Sequence, residues 1–138
     1  MIIEPESPWQ NSEPNLENIL KELIAREPIF HRPEWGTRRS DYKNMIVDDY
    51  WEVGASGKRY GTQFVLDTLE ARQHNPEPDH WKTSEFHCRK LAENLFLLTY
   101  TLHQGENYER ETRRATIWAK FADGWKIVYH QGTIVKGE

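Results

Sequence analysis

The stretch from Arg113 to Val135, R-R-A-T-I-W-A-K-F-A-D-G-W-K-I-V-Y-H-Q-G-T-I-V, restricts the fold more than any other part of the chain. It reads as two long strands joined at Ala122-Asp123-Gly124, because an Asp-Gly pair between alternating strand formers suits a tight turn that needs positive φ. With Asp123-Gly124 as the loop, Phe121 faces Lys126, Ala119 faces Val128, Trp118 faces Tyr129 and Thr116 faces Gln131. Side chains alternate along a strand. One face then carries Arg114, Thr116 and Trp118 beside Ile127, Tyr129, Gln131 and Thr133. The other carries Ala115, Ile117 and Ala119 beside Val128, His130 and Gly132. The first face is large, aromatic and hydrogen-bonding, as the wall of a pocket would be. The second is small and mostly apolar, which suits a flat packed surface. Register decides this division, since a slip of one residue exchanges the faces.

The 138 residues suit one domain with a real core. Only 37% of them are hydrophobic and 29% are charged, so the core must rely on bulk per residue. Six Trp, six Tyr and five Phe supply it. A net charge of -4 argues against a nucleic-acid binder, which needs a basic footprint to neutralise phosphates. The one cysteine, Cys88, excludes an intrachain disulfide and fits a reducing, cytoplasmic setting. The N-terminal residues have no basic region followed by an apolar run, so no secretory signal is expected, and no segment has the length and apolarity of a membrane span.

Residues 1–14, rich in Pro, Glu and Ser, read as a disordered or loosely docked arm in which Trp9 is the one large apolar group. Residues 15–135 read as the domain. A first helix from Asn15 places Leu16, Ile19, Leu20, Leu23 and Ile24 on one stripe and stops before Pro28. A short second helix runs through Tyr42, Met45 and Ile46 to Asp48-Asp49. Tyr50 to Val53 is a strand, Gly54-Ala55-Ser56-Gly57 a turn and Lys58 to Tyr60 a short return strand. Thr62 opens a third helix with Phe64, Val65, Leu66 and Leu69 facing inward. From Trp81 onward the chain reads as consecutive strands, the Asn94 to His103 run being apolar on both faces. Helices followed by antiparallel strands define an α+β class. Helices cover only one face of so small a sheet, so a second subunit is expected on the other.

The segments Asp48 to Lys58, Leu98-Thr99-Tyr100, Arg114 to Trp118 and Trp125 to Thr133 resemble the domain-of-unknown-function 4440 family of the SnoaL-like and nuclear transport factor 2-like superfamily. The E-x-G-A-S-G and W-x-x-x-x-H-Q-G-T motifs carry the resemblance, which spans residues 16 to 134. It implies a cone of three N-terminal-half helices on a strongly bent antiparallel sheet, and a homodimer through that sheet. It does not imply one activity, because relatives include isomerases, cyclases, dehydratases, hydrolases and assembly domains.

Glu52 is the carboxyl group that such a cone would desolvate, which suits a general acid or base. The plainer alternatives are an ion pair with Arg114 or a hold on its own turn. Trp51, Tyr100, Arg114, Trp118, Tyr129 and Gln131 are the expected ligand-binding residues, and Ala115, Ile117, Ala119, Val128 and His130 the expected dimer surface. His31 and Glu34 flank Pro33 where they could close a pocket. His74, Glu77, Asp79 and His80 match no metal-site spacing, and Ser56 lacks the strand-to-helix context of a nucleophile elbow, so no metal and no cofactor are expected. The sequence therefore predicts a small-molecule-binding domain with an apolar cone pocket. Its alternatives are an isomerase-, cyclase- or hydrolase-type enzyme working through Glu52, and a protein-interaction or immunity-type domain. The expected partners are a small apolar molecule and a second copy, without nucleic acid or membrane.

Overall fold

A computed structural model of the chain describes residues 2–10 and 12–136, so Met1 and Asn11 of the expected arm lie outside it. The elements are α1 (Glu17–Ile24), α2 (Arg39–Asn44), β1 (Ile46–Val53), β2 (Arg59–Gly61), α3 (Thr62–His74), β3 (Trp81–Ala92), β4 (Leu95–Gln104), β5 (Arg110–Phe121) and β6 (Gly124–Ile134). Short 3-10 turns at Pro8–Gln10, Pro14–Leu16 and Pro33–Trp35 each begin at a proline, whose fixed φ suits a first helical position. The order and class follow the sequence reading, with two shifts. Residues 15 and 16 form a 3-10 turn ahead of α1, and Asp48-Asp49 lie within β1 rather than ending α2. The alternation that places Ile46 and Tyr50 in the core extends β1 back across the two aspartates, which stay exposed.

The strands form one sheet in the order β2-β1-β6-β5-β4-β3. All pairings are antiparallel except β1 with β6, which is parallel, so the sheet is mixed rather than purely antiparallel. That pairing brings the E-x-G-A-S-G strand beside the H-Q-G-T strand, with Glu52 opposite His130.

The helices pack on one face of the sheet. Leu16 and Leu23 from the N-terminal helical segment and Val65, Leu66 and Leu69 from α3 share one buried cluster with Phe96, Leu98, Tyr100, Leu102, Trp118, Trp125 and Ile127. Each fully buried aliphatic side chain contributes roughly 1.5–3 kcal/mol. Thr62 acts otherwise than as a cap. Its hydroxyl donates to the Tyr50 carbonyl at 2.9 Å, tying the start of α3 to β1. The other face of the sheet is not bare. The Pro8–Gln10 turn lies against β3, and Ser12 Oγ accepts the Cys88 amide at 2.7 Å. Trp9 lines a groove there with Thr99, Arg113, Ala115 and Gln131.

The β5–β6 hairpin corrects the expected register. Phe121 pairs with Gly124, so Ala122-Asp123 is the loop, and Gly124 takes the positive φ of 128° at the first strand position. This moves each partner by two residues and keeps the faces. Trp118 pairs with Ile127, both buried. The ladder then slips by one: Ile117 pairs with Tyr129, leaving Val128 unpaired in a bulge. Beyond the bulge the faces exchange. Thr116 pairs with His130 and Arg114 with Gly132 on the helix-facing side, while Tyr129 and Gln131 turn to the opposite side.

Candidate functional site

A cavity of about 400 Å³ lies between the sheet, α3 and the 28–31 segment. Its apolar lining includes Ile29, Tyr60, Phe64, Val65, Leu69 and Leu102. Its polar lining is Glu52 from β1, Arg114 from β5, His130 from β6, His31 from the loop after α1, and Arg72 and Thr68 from α3. An apolar concavity with few convergent polar groups is the usual form of a small-molecule site.

Tyr50 and Glu52 share one face of β1, and the buried Tyr50 hydroxyl donates to Glu52 Oε1 at 3.0 Å. Burial pushes the Glu52 carboxyl up from the ordinary range, with the Tyr50 hydrogen bond and the charge of Arg114 pulling it back. Glu52 makes no ion pair with Arg114 or any other described residue. It therefore remains a desolvated acid in a cavity, able to hold a proton above the usual carboxyl range.

His130 is 5% exposed and belongs to the interior of this one subunit, so its expected place on a dimer surface is corrected. The cause is the bulge at Val128, which turns His130 inward. Its Nδ1 lies 2.7 Å from Thr116 Oγ1 and its Nε2 3.5 Å from Arg114 Nη1. A guanidinium only donates, so Nε2 is the acceptor and Nδ1 carries the hydrogen that it donates to Thr116. Burial, with the charges of Arg114 and His31 adding to it, holds the imidazole down to about 3, and it is neutral.

Arg114 donates from Nε to Thr112 Oγ1 at 2.8 Å, and its guanidinium lies over Gly132. A Cβ at Gly132 would stand 3.2 Å from Arg114 Cζ, so glycine there leaves the room the guanidinium uses. Burial lowers the Arg114 pKa, opposed by Tyr100, Glu27 and Glu52. His31 Nδ1 lies 2.8 Å from Asp79 Oδ2. Burial lowers the His31 pKa against the pull of Asp79, and the nearby charges of Arg72 and Arg114 lower it further. His31 lines the cavity wall, and together with Glu34 it also lines an adjoining outer depression.

Behind this wall, Glu27 is fully buried. Its carboxyl accepts from the Ile29 amide at 3.0 Å, the Tyr100 hydroxyl at 2.6 Å and the Trp118 indole at 3.2 Å. This explains why Tyr100 and Trp118 differ in role from expectation: both polar atoms are spent on Glu27. Tyr100 still lines the cavity, whereas Trp118 packs in the core. The sequence gives no sign of Glu27, which reads as an ordinary helix end before a proline.

Of the expected ligand-binding residues, Tyr100 and Arg114 line the cavity with Glu52. Trp51, Tyr129 and Gln131 lie on the other face of the sheet, where Trp51 meets Tyr129 edge to face and the Tyr129 hydroxyl donates to Gln131. Alternation from Glu52 sends Trp51 outward, and the bulge sends Tyr129 and Gln131 with it. Ala115, Ile117 and Ala119 are half-buried on that outer face, and Val128 stands in the bulge. Arg72, His31 and Asp79 join the site only through tertiary folding, since none stands near the others in a recognisable motif. Among the described residues no three His, Cys, Asp or Glu side chains converge to hold a metal.

The fold is that of nuclear transport factor 2-like proteins, and the solved structures it resembles place it there. A candidate ketosteroid isomerase from Parabacteroides distasonis is 19% identical over 93% of this chain and 97% of its own, with a TM-score of 0.65. An NTF2-like protein of unknown function from Pseudomonas aeruginosa aligns over 84% and 98% of the two chains at 10% identity and a TM-score of 0.69. A candidate calcium/calmodulin-dependent protein kinase type II association domain from Thiobacillus denitrificans aligns over 82% and 94% at 13% identity and a TM-score of 0.62. No family model matches the sequence, and no curated protein matches it. No helix among the described residues is long and apolar enough to cross a membrane.

Proposed function

We propose that this chain is a small-molecule-binding domain whose ligand occupies the cavity between α3 and the sheet. The observation that carries this is the lining itself. Charged or titratable groups from five separate segments face one concavity that is otherwise mostly apolar and not filled by the protein's own aromatic side chains. An unfilled cavity is also what separates this reading from a pure interaction domain. Native mass spectrometry of gently purified protein, with thermal shift against a panel of small amphipathic molecules, tests it. A retained or stabilising ligand is expected, and Thr68→Trp, which fills the cavity from an exposed position on α3, removes the effect. Stabilisation that survives Thr68→Trp overturns the assignment.

A second reading is favoured by Glu52. A desolvated carboxyl group without a cationic partner, beside a neutral imidazole, is equipped for proton transfer on a bound ligand. The candidate ketosteroid isomerase among the structural neighbours agrees with an isomerase-type reaction. The E-x-G-A-S-G and H-Q-G-T strands, which run side by side, support membership of the domain-of-unknown-function 4440 family. The half-buried Ala115, Ile117 and Ala119 beside exposed Trp51 support a homodimer through the outer sheet face, and the lone Cys88 supports a cytoplasmic setting.

A further inference from the structure

Resting on the cavity reading above, we propose that the ligand is an amphipathic monocarboxylate, its carboxylate held by Arg114 and Arg72 and its apolar body lying along Phe64, Val65, Leu69 and Leu102. Two guanidinium groups line this cavity, and neither makes an ion pair with any described carboxyl group. Arg114 is half-buried and held in place through Nε on Thr112, while Nη2 has no protein acceptor among the described residues. Arg72 donates one Nη2 hydrogen bond to the Phe30 carbonyl and is otherwise available. His31, which lines the same cavity, feels the charge of both.

The whole chain carries a net charge of -4, so two inward cations do not reflect a generally basic protein. Desolvated cations without a counter-charge are costly, and an incoming anion relieves that cost. The planar forks of two arginines match a carboxylate. An ammonium would be repelled by the two guanidinium groups. The remaining lining is apolar and offers a hydrocarbon body about 0.8 kcal/mol per buried methylene.

Displacement of the neutral dye Nile red from the full chain by octanoate, octanol and octyltrimethylammonium at equal ionic strength tests this. Octanoate is expected to displace at about tenfold lower concentration than octanol, or lower still, as a charge-assisted hydrogen bond predicts. Octyltrimethylammonium is expected to be the weakest of the three. Arg114→Gln and Arg72→Gln each bring octanoate back to the octanol value measured on the same variant; Arg72 is away from the core and carries the test should Arg114→Gln fold poorly. Equal displacement by octanoate and octanol overturns the carboxylate assignment and leaves the cavity reading standing. Dye binding that is absent, or insensitive to Thr68→Trp, overturns both.

Discussion

Tyr50 and Glu52, two residues apart on one face of β1, are joined by a 3.0 Å hydrogen bond from the phenol to Oε1. The bond orients the carboxyl group, and Tyr50 itself is raised by burial and by Glu52, so it stays a donor. Glu52→Gln keeps an oxygen that accepts from Tyr50 and removes the titration. Because burial raises the folded pKa of Glu52, the unfolded chain loses its proton first, and wild-type stability declines as pH rises above 4.5 until the folded group also ionises. The variant lacks this decline. Melting curves taken from acid to neutral pH should therefore show Glu52→Gln gaining on wild type across that window, then running parallel. A constant difference at all pH values would contradict a raised carboxyl group.

His130 works in the opposite direction. Its folded pKa is lowered to about 3 from 6.5, so the unfolded chain binds the proton first as pH falls. Stability is complete above 6.5 and is lost on acidification towards 3. At pH 5 the loss from this group is about 2 kcal/mol. Urea unfolding of wild type and His130→Gln should show the acid-side slope shrinking in the variant. Nitrogen NMR of the imidazole should find the neutral form with the hydrogen on Nδ1.

Glu27 ties the end of the first helical segment to β4 and β5 through two hydrogen bonds, from Tyr100 and Trp118, and holds the Ile29 amide with a third. Glu27→Ala leaves a buried indole N–H and a buried phenol without an acceptor and should cost about 3–5 kcal/mol in chemical denaturation. Glu27→Gln, which retains one accepting oxygen, should cost clearly less.

Ile117 tests assembly. Its half-buried side chain lies on the outer sheet face with Ala115 and Ala119. Under the proposed homodimer, Ile117→Asp buries an unpaired charge at the interface and should give a monomer in sedimentation velocity. An unchanged dimer would move the interface elsewhere; a wild-type monomer would remove it.

Periodicity made the element order, the α+β class and the Leu16, Leu23, Val65, Leu66 and Leu69 core legible in the sequence, because each stripe is local. Trp118 and Ile127 were legible as face-mates for the same reason. His130 was not, since one unpaired residue at Val128 reverses alternation and leaves no trace in composition. Glu27, Arg72 and the His31–Asp79 pair were not legible either. Their partners lie 73, 42 and 48 residues away, a separation that only tertiary folding closes.

The bulge at Val128 has a further meaning for how such a pocket changes. Before it on β6, Trp125 and Ile127 are committed to the aromatic core; after it, the inward residues face the ligand chamber and the others the exterior. Were Val128 paired regularly opposite Ile117 instead, with no residue left over, Tyr129 and Gln131 would face the chamber and the imidazole of His130 would go to the outer sheet, with no side chain altered. In this architecture the chemistry presented to a guest is encoded by where one surplus residue is absorbed, in a bulge or in the ladder, as much as by residue identity.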